Sequence, residues 1–316
     1  MVDSLSALLP DKRQVRASFD RAAPRYDEVA LLQREVGERL VERLDEVRLT
    51  PNRVLDLGAG TGVGTVALVR RYPKAQVVAL DLAPGMLRTA RQRLEGKPLL
   101  WPVHWQRQWR HWFGQQATGF TCGDAEQLPF VARCFDLIHS NLTLQWCTDL
   151  DKTFTELRRV AASGALLSFT TFGPDTLKEL RAAWQAVDQG NHVNTFLDMH
   201  DVGDALARAG FSGILMDVER LTVTYDHLTE LMGDLKILGA HNVTQGRPRG
   251  LMGRERLRRL VDTYETYRYD GRLPASYEVV YGHAWAEQPV QQVSKESNLG
   301  SPVKWMPSTE YKKINN

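Results

Sequence analysis

The chain has 316 residues, of which 43% are hydrophobic and 25% are charged, and its formal net charge is +2. This composition is ordinary for a globular protein, and the small net charge excludes a strongly basic nucleic-acid-binding protein. No apolar stretch approaches the roughly 20 residues of a membrane-spanning helix. The three cysteines lack metal-ligand spacing, so we expect no metal site, a cytoplasmic protein, and thiols buried as small hydrophobic groups. They are Cys122, Cys134 and Cys147.

Two helices are predicted ahead of the first strand. Val15, Phe19 and Ala22 recur at helical spacing before a proline, and a second apolar helical face runs through 29–46. We interpret residues 11–50 as a lid in which Tyr26 stacks on or hydrogen-bonds a bound ligand. The alternative places this tyrosine in the core at the helix junction.

The stretch 54–64 is an apolar run that ends in Asp56 and alternating glycines. It predicts a buried strand, a turn that lets the backbone approach a ligand, and a helix over 61–71. The spacing excludes a dinucleotide fingerprint, because neither candidate sixth position, Val63 or Thr65, is glycine or alanine. No Gly-Lys-Ser/Thr follows, which excludes a P-loop. The glycines are Gly58, Gly60, Gly62 and Gly64.

An acid followed by G-x-G-x-G resembles motif I of the class I S-adenosylmethionine-dependent methyltransferases. Asp81 ends the second predicted strand, where an acid accepts hydrogen bonds from both ribose hydroxyls; a helix cap before Pro84 is the alternative. Asp124, after the third strand, is placed to accept from an adenine amino group. The predicted cofactor-binding residues are Tyr26, Asp56, Gly58, Ala59, Gly60, Asp81, Leu82, Met86, Asp124, Ala125, Asn141, Leu142 and Gln145.

A tryptophan-rich stretch separates the second and third strands. Its tryptophans recur every three or four residues, which places them on one face of a helix with basic neighbours. A local docking helix, a lid, a partner-binding surface and an interfacial membrane contact all fit this pattern. The residues are Trp101, Trp105, Trp109 and Trp112.

The rest of the chain completes an α/β plan. Five strand–helix pairs precede a strand at 211–225, helices at 227–238 and 254–269, and a final antiparallel strand at 276–285. We predict the Rossmann-like class I methyltransferase fold. It has a seven-stranded, mostly parallel sheet with one antiparallel strand, helices on both faces, and a helical insertion for acceptor binding at 226–273. The predicted domain spans 1–288, and the polar tail 289–316 is expected to be loosely ordered.

Four blocks resemble the malonyl-acyl-carrier-protein O-methyltransferases of biotin synthesis, and the likeness runs from Phe19 to Trp285. The blocks are FDRAAPRYD at 19–27, SNLTLQWC at 140–147, LKILGAHN and GR within 235–247, and LPASYEVVYGHAW at 273–285. The tryptophan stretch is longer than the family usually has, and His241-Asn242 reverses the family's order. The resemblance implies methyl transfer from S-adenosylmethionine to the free carboxylate of malonyl-acyl carrier protein, which masks the charge so that fatty-acid synthesis can elongate the ester.

A carboxylate, with a pKa near ~4, is already ionised at neutral pH. Orientation alone therefore suffices for this transfer, and no catalytic side chain is predicted beyond support from Tyr26. A cation should hold the acceptor carboxylate. We predict Arg247, whose guanidinium forms a bidentate fork, together with Lys236 and His241, although Arg249 and Arg254 fit the same role.

The segment 247–272 contains eight basic residues and only four acidic ones. This local excess predicts a docking surface for an acidic carrier protein around Arg254, Arg258 and Arg259, and a solvated helix face is the alternative. Two rival functions share the same sequence features. One is a methyltransferase for a small free carboxylic acid or a natural-product hydroxyl, and the other is a non-catalytic S-adenosylmethionine-binding scaffold.

Overall fold

The computed structural model describes residues 10–95, 117–188, 190–239 and 253–287. The helices are α1 (Lys12–Ala22), α2 (Tyr26–Val29), α3 (Leu31–Glu42), α4 (Val63–Arg71), α5 (Pro84–Glu95), α6 (Leu150–Val160), α7 (Lys178–Gln185), α8 (Met199–Arg208), α9 (Leu228–Ile237) and α10 (Arg254–Glu265). The strands are β1 (Arg53–Leu57), β2 (Gln76–Asp81), β3 (Gly119–Cys122), β4 (Phe135–Ser140), β5 (Ala161–Phe172), β6 (Ser212–Tyr225) and β7 (Leu273–Ala286). Predictions for the tryptophan stretch, His241, Arg247 and the tail 289–316 lie outside the described residues.

The seven strands form one sheet in the order β3-β2-β1-β4-β5-β7-β6. The first five strands run parallel to one another, and β7 is antiparallel to both of its neighbours, β5 and β6. Helices α9 and α10 lie between β6 and β7 in the chain. The predicted fold, with one antiparallel strand and a helical insertion before it, is confirmed.

Strand β1 is buried on both sides because helices cover both faces of the sheet. Leu55 and Leu57 pack into a cluster that contains Phe154 of α6. Val54 points the other way, as alternation along a strand requires, and joins a cluster that contains Leu68 of α4. The near-continuous apolar run of this strand therefore reflects a central position in a parallel sheet.

The lid region departs from the predicted single helix over 29–46. Ala30 leaves the helical conformation, with φ −80° and ψ 40°, so α2 ends there and α3 begins at the next residue. The chain continues as a 3-10 turn at Arg43–Glu46. Helix α1 follows its sequence signals closely, since the Asp11 carboxylate caps it by accepting from the backbone N–H groups of Arg13 and Gln14.

The prediction that all three cysteines are buried was wrong for one of them. Cys122 is exposed at the end of β3, whereas Cys134 and Cys147 are partly buried. Position explains the difference, because β3 is the edge strand of the sheet. Within the described ranges, no helix combines the length and apolar character needed to cross a membrane.

Candidate active site

A cleft opens where the carboxyl ends of β1, β2 and β4 meet the lid helices. It contains about 900 Å³ of empty space, part of it open to solvent. Most of the predicted cofactor residues line it, and only Asp56 and Ala59 do not. The predicted residues in the lining are Tyr26, Gly58, Gly60, Asp81, Leu82, Met86, Asp124, Ala125, Asn141, Leu142 and Gln145.

The glycine turn is tied to the neighbouring strand by its backbone. The N–H groups of Gly58 and Ala59 both donate to the Leu80 carbonyl oxygen, at 2.8 and 2.9 Å. Gly58 has φ +71°, and a Cβ there would lie 2.0 Å from the Thr143 hydroxyl oxygen. Protein packing therefore requires glycine at position 58, which also lines the cleft.

Gly60 meets a different requirement. Its φ is +54°, but an added Cβ would find no protein atom within 4 Å. Gly60 lines the cleft, so this open space belongs to the cleft. Of these two glycines, Gly60 is the one whose missing side chain leaves room in the site.

Asp81 presents its carboxylate at the end of β2. Its two oxygens accept hydrogen bonds from the backbone N–H groups of Gly60, at 2.9 Å, and Ala83, at 2.8 Å. Burial raises the pKa of Asp81 to about 6, against the lowering effect of those two bonds and with a further rise from the nearby Asp56 and Asp20 carboxylates. The residue thus makes the local cap-like contact that the sequence left open and also lines the cleft.

Asp56 lies beneath the glycine turn, with 2% of its surface exposed. Its carboxylate accepts a 2.6 Å hydrogen bond from the Thr65 hydroxyl and lies 3.2 Å from Nδ1 of the fully buried His139. Asp56 and Ala59 line a second cavity, which shares Tyr26, Gly58 and Gly60 with the cleft. These contacts attach the start of α4 to the sheet, a supporting role that the strand-plus-acid pattern did not distinguish from direct cofactor contact.

Lys12, at the start of α1, reaches across the cleft and was missed from the sequence. Its ammonium lies 2.7 Å from both Asp124 carboxylate oxygens and 2.8 Å from Glu126. Burial alone would raise the pKa of Glu126, but hydrogen bonds from Lys12 and Thr148 hold it below its usual range. The carboxylate predicted to meet adenine is therefore paired with the lid, and no local sequence signal marks a lysine for this long-range contact.

The lid makes further polar contacts around the cleft. Asp20 accepts a 2.6 Å hydrogen bond from the Gly85 backbone N–H at the start of α5. Asp27 accepts a 2.7 Å hydrogen bond from the Thr61 hydroxyl, beside the glycine turn, and is also paired with Arg93. The lid is thus fastened on two sides of the opening.

Two cleft side chains that carry ionisable protons remain neutral at physiological pH. Burial, with help from the Asp81 and Asp27 carboxylates, raises the pKa of Tyr26 well above its usual value. Burial also raises the pKa of the Cys147 thiol to about 12. Tyr26 lines the cleft and also belongs to a small apolar cluster with Phe19 and Met86. It therefore lies both at the cleft and in the packing at the helix junction.

The predicted acceptor residues are placed less fully. Lys236 is exposed on α9 and is not part of the described cleft lining, where Lys12 is the only cation. On α10, Arg254 and Arg258 are exposed, and Arg259 donates to the Ala186 carbonyl oxygen at 3.2 Å.

Residues 55–169 match a family model described as a methyltransferase domain. The malonyl-acyl-carrier-protein O-methyltransferase of Laribacter hongkongensis is 52% identical over 279 residues, which cover 88% of this chain and 91% of that protein. The enzyme of the same name from Nitrosospira multiformis is 50% identical over 285 residues, covering 88% and 90%. The chain belongs to this O-methyltransferase family. The resemblance found in the sequence is confirmed, and the enzyme is an S-adenosylmethionine-dependent O-methyltransferase.

Solved structures agree with this fold. YcgJ from Bacillus subtilis has a TM-score of 0.52 at 15% identity, covering 81% of this chain and 99% of that one. The cyclase SpnF has a TM-score of 0.53 at 18% identity, covering 88% and 98%. Because a cyclase shares the architecture, the fold alone does not identify the reaction. The assignment of this chain to the O-methyltransferase family therefore rests on its sequence relatives.

Proposed function

We propose that this methyltransferase esterifies the free carboxylate of a malonyl group carried as a thioester on acyl carrier protein. The proposal draws on the names of its relatives and on one observation of the cleft. In the described lining, Tyr26 and Cys147 hold their protons at neutral pH, and Asp81 and Asp124 are engaged by backbone N–H groups and Lys12. This lining offers no histidine as a general base, which suits an acceptor that is already an anion.

A malonyl carboxylate meets that requirement. With a pKa near ~4, it is ionised at neutral pH and needs no proton removed before it attacks. When bound, S-adenosylmethionine supplies an electrophilic methyl group on its sulfonium. The protein then contributes orientation, which can supply roughly 7 to 11 kcal/mol of a barrier. A hydroxyl acceptor would need a base to remove its proton.

The residues of the cleft fit this cofactor. Asp81 would accept hydrogen bonds from the two ribose hydroxyls, as an acid at this strand end does in doubly wound folds. Asp124 would accept from the adenine amino group once it shares its oxygens with Lys12. Gly60 leaves room beside the ribose, and Tyr26 covers the site from the lid.

For the acceptor end we propose the predicted cations, with Arg247 gripping the malonyl carboxylate and Lys236 and His241 nearby in the insertion 226–273. Docking of the acidic carrier protein is proposed at Arg254, Arg258 and Arg259. The exposure of Arg254 and Arg258 on α10 supports this surface. The methyl ester would then pass to a chain-elongating enzyme, which accepts it because the terminal charge is masked.

The deciding experiment incubates the enzyme with methyl-labelled S-adenosylmethionine and, in parallel, malonyl-acyl carrier protein, free malonate and a small hydroxyl acceptor. We expect label on the carrier-bound malonyl group, released by alkali as methanol. Equal labelling of free malonate, or labelling of the hydroxyl acceptor alone, would contradict the proposal. Absence of label in all three, with S-adenosylhomocysteine binding intact, would indicate the scaffold function.

The docking surface has its own test. Arg258→Glu with Arg259→Glu should raise KM for malonyl-acyl carrier protein about tenfold or more, since rim charges govern encounter with an oppositely charged partner. Turnover of a truncated malonyl thioester should be unchanged. Arg70→Glu, an exposed arginine on α4, is the matched control. Equal loss on both substrates would count against docking at α10.

A further inference from the structure

The turn after β4 carries backbone strain inside the cleft. Leu142 has φ +48°, a left-handed conformation that is uncommon for a side chain of this size. The residue is buried, with 7% of its surface exposed, and lines the cleft. Such strain persists only where surrounding contacts enforce it. Two side chains hold the Leu142 backbone: Gln145 donates a 2.7 Å hydrogen bond to its carbonyl oxygen, and Thr170 of β5 accepts from its N–H.

Thr170 of β5 holds this turn with one hydroxyl. Its Oγ1 accepts a 2.9 Å hydrogen bond from the Leu142 backbone N–H and donates a 2.8 Å hydrogen bond to the Asn141 side-chain oxygen. Thr170 is fully buried and is not part of the cleft lining. A single hydroxyl therefore satisfies the strained backbone and fixes the orientation of the neighbouring amide.

Asn141 connects this turn to helix α3 of the lid. Its Nδ2 donates a 2.8 Å hydrogen bond to the backbone carbonyl oxygen of Gln33 on α3. One turn further along α3, a Cβ added to Gly37 would lie 2.8 Å from the same Nδ2 atom, so the helix lies directly on the amide. The predicted cofactor residue Asn141 thus connects the sheet to the lid.

We propose that Thr170 is a positioning residue for S-adenosylmethionine. Its hydroxyl keeps the turn at Leu142 in its left-handed conformation and, through Asn141, seats α3 over the cofactor cleft. Gln33 and Leu142, at the two ends of this connection, both line the cleft. Loss of the hydroxyl would leave the Leu142 N–H and the Asn141 oxygen without their partner, and both the turn and the lid would shift.

The test is Thr170→Val, which keeps the side-chain shape and removes the hydroxyl. We expect the Kd for S-adenosylhomocysteine, measured by calorimetry, to rise about tenfold, the equivalent of one or two lost hydrogen bonds. Thr170→Ser should restore the Kd to within about twofold. Ser168→Ala is the matched control, since Ser168 is fully buried two residues earlier on the same face of β5 and its hydroxyl has no partner among the described residues. Its Kd should not change.

A second variant reaches the same connection from the lid. Gly37→Ala pushes on the Asn141 amide without touching the hydroxyl, and it should weaken binding by a similar factor. Because the two changes act on one connection, their effects in the double variant should be less than additive. The proposal is overturned if Thr170→Val lowers the melting temperature while the Kd stays unchanged, if Ser168→Ala weakens binding equally, or if Gly37→Ala binds as tightly as the wild type.

Discussion

The floor and the lid of the cleft are held by different kinds of contact. On the floor, the glycine turn is attached to β2 by backbone hydrogen bonds from Gly58 and Ala59, and Asp81 is fixed by two backbone N–H groups. The first two helices of the lid, α1 and α2, are attached by polar side chains, through the ion pairs of Lys12 and the acceptor oxygens of Asp20 and Asp27.

This difference has consequences for both stability and motion. Floor contacts follow from the register of parallel strands, so they persist as long as the sheet does. At the start of the lid, Lys12 and Asp124 are partly exposed, and such ion pairs contribute only about 0–1 kcal/mol each. Helix α3 is held more firmly, because Val36 and Leu40 are fully buried in an apolar cluster that includes residues of β7. We therefore expect α1 to move away from the cleft without unfolding of the sheet, which suits an enzyme that must exchange S-adenosylhomocysteine for fresh cofactor.

The largest effect is expected on the floor, at Asp81. Asp81→Ala removes the proposed acceptor for both ribose hydroxyls, and two bonds to a charged group are together worth on the order of 3–6 kcal/mol. We expect the Kd for S-adenosylhomocysteine to rise about 1000-fold. Asp81→Asn, which keeps one acceptor oxygen, should fall between. A Kd within tenfold of the wild type would refute this role.

The two glycines of the floor should separate stability from affinity. Gly58→Ala combines a positive φ with overlap of the Thr143 side chain, so we expect a loss of about 2–4 kcal/mol in the free energy of unfolding by urea. Gly60→Ala meets no protein atom and should cost only about 1 kcal/mol in stability. It should instead weaken cofactor binding, because the methyl group enters the cleft. The reverse pattern would contradict this division.

The same contrast explains what the sequence could predict. The alternating glycines and Asp81 are recognisable because topology puts every parallel strand end at one edge of the sheet, so spacing along the chain becomes proximity in space. Lys12 and Asp124 are 112 positions apart, and their pairing depends on how a lid helix lies across that edge. Neither helical periodicity nor capping signals carry that information.

The direction in which each side chain points could not be predicted from the sequence either. Asp56 and Asp81 both lie near the carboxyl ends of apolar strands, yet Asp56 accepts a hydrogen bond from Thr65, whereas Asp81 lines the cleft. Asn141 sits in the predicted place, but its amide serves Thr170 and Gln33. Strand ends predict which residues gather at a site, and packing decides which of them face the ligand.

Protonation of the Asp81 carboxylate should change the affinity for the cofactor. The pKa of Asp81 is raised to about 6 in the free enzyme, and the ionised form is the one proposed to accept hydrogen bonds from the ribose hydroxyls. Affinity should therefore be complete above pH 7 and fall as protons bind below pH 6, by about tenfold at pH 5. For folding the sign is opposite, because a raised carboxyl pKa favours the folded state at low pH, and that contribution is lost as pH rises from 3.8 to about 6. The Kd in Asp81→Asn should lack this titration between pH 5 and 7.

The smallest effect is expected at the lid. Lys12→Met keeps the length of the side chain but removes its ion pairs with Asp124 and Glu126. The pair with Asp124 is partly exposed and therefore weak, and the buried Glu126 keeps its hydrogen bonds from Thr148 and Asp149. We therefore expect the dissociation rate of S-adenosylhomocysteine in stopped flow to rise only about three- to tenfold. The loss should appear in the dissociation rate, since the pairs hold a bound state closed. Arg16→Met, on an exposed position of α1, is the matched control.

Salt should identify the cause of the Lys12 effect. Raising ionic strength from about 0.05 to about 0.5 M screens exposed charge pairs, so the wild-type dissociation rate should approach that of Lys12→Met, whose own rate should stay nearly constant. The Arg16→Met variant should follow the wild type. If the dissociation rates of the wild type and Lys12→Met kept the same ratio at every salt concentration, ion pairing would not be the cause. The lid would then be held closed by apolar contacts, those of Val15 and Phe19 with the cleft.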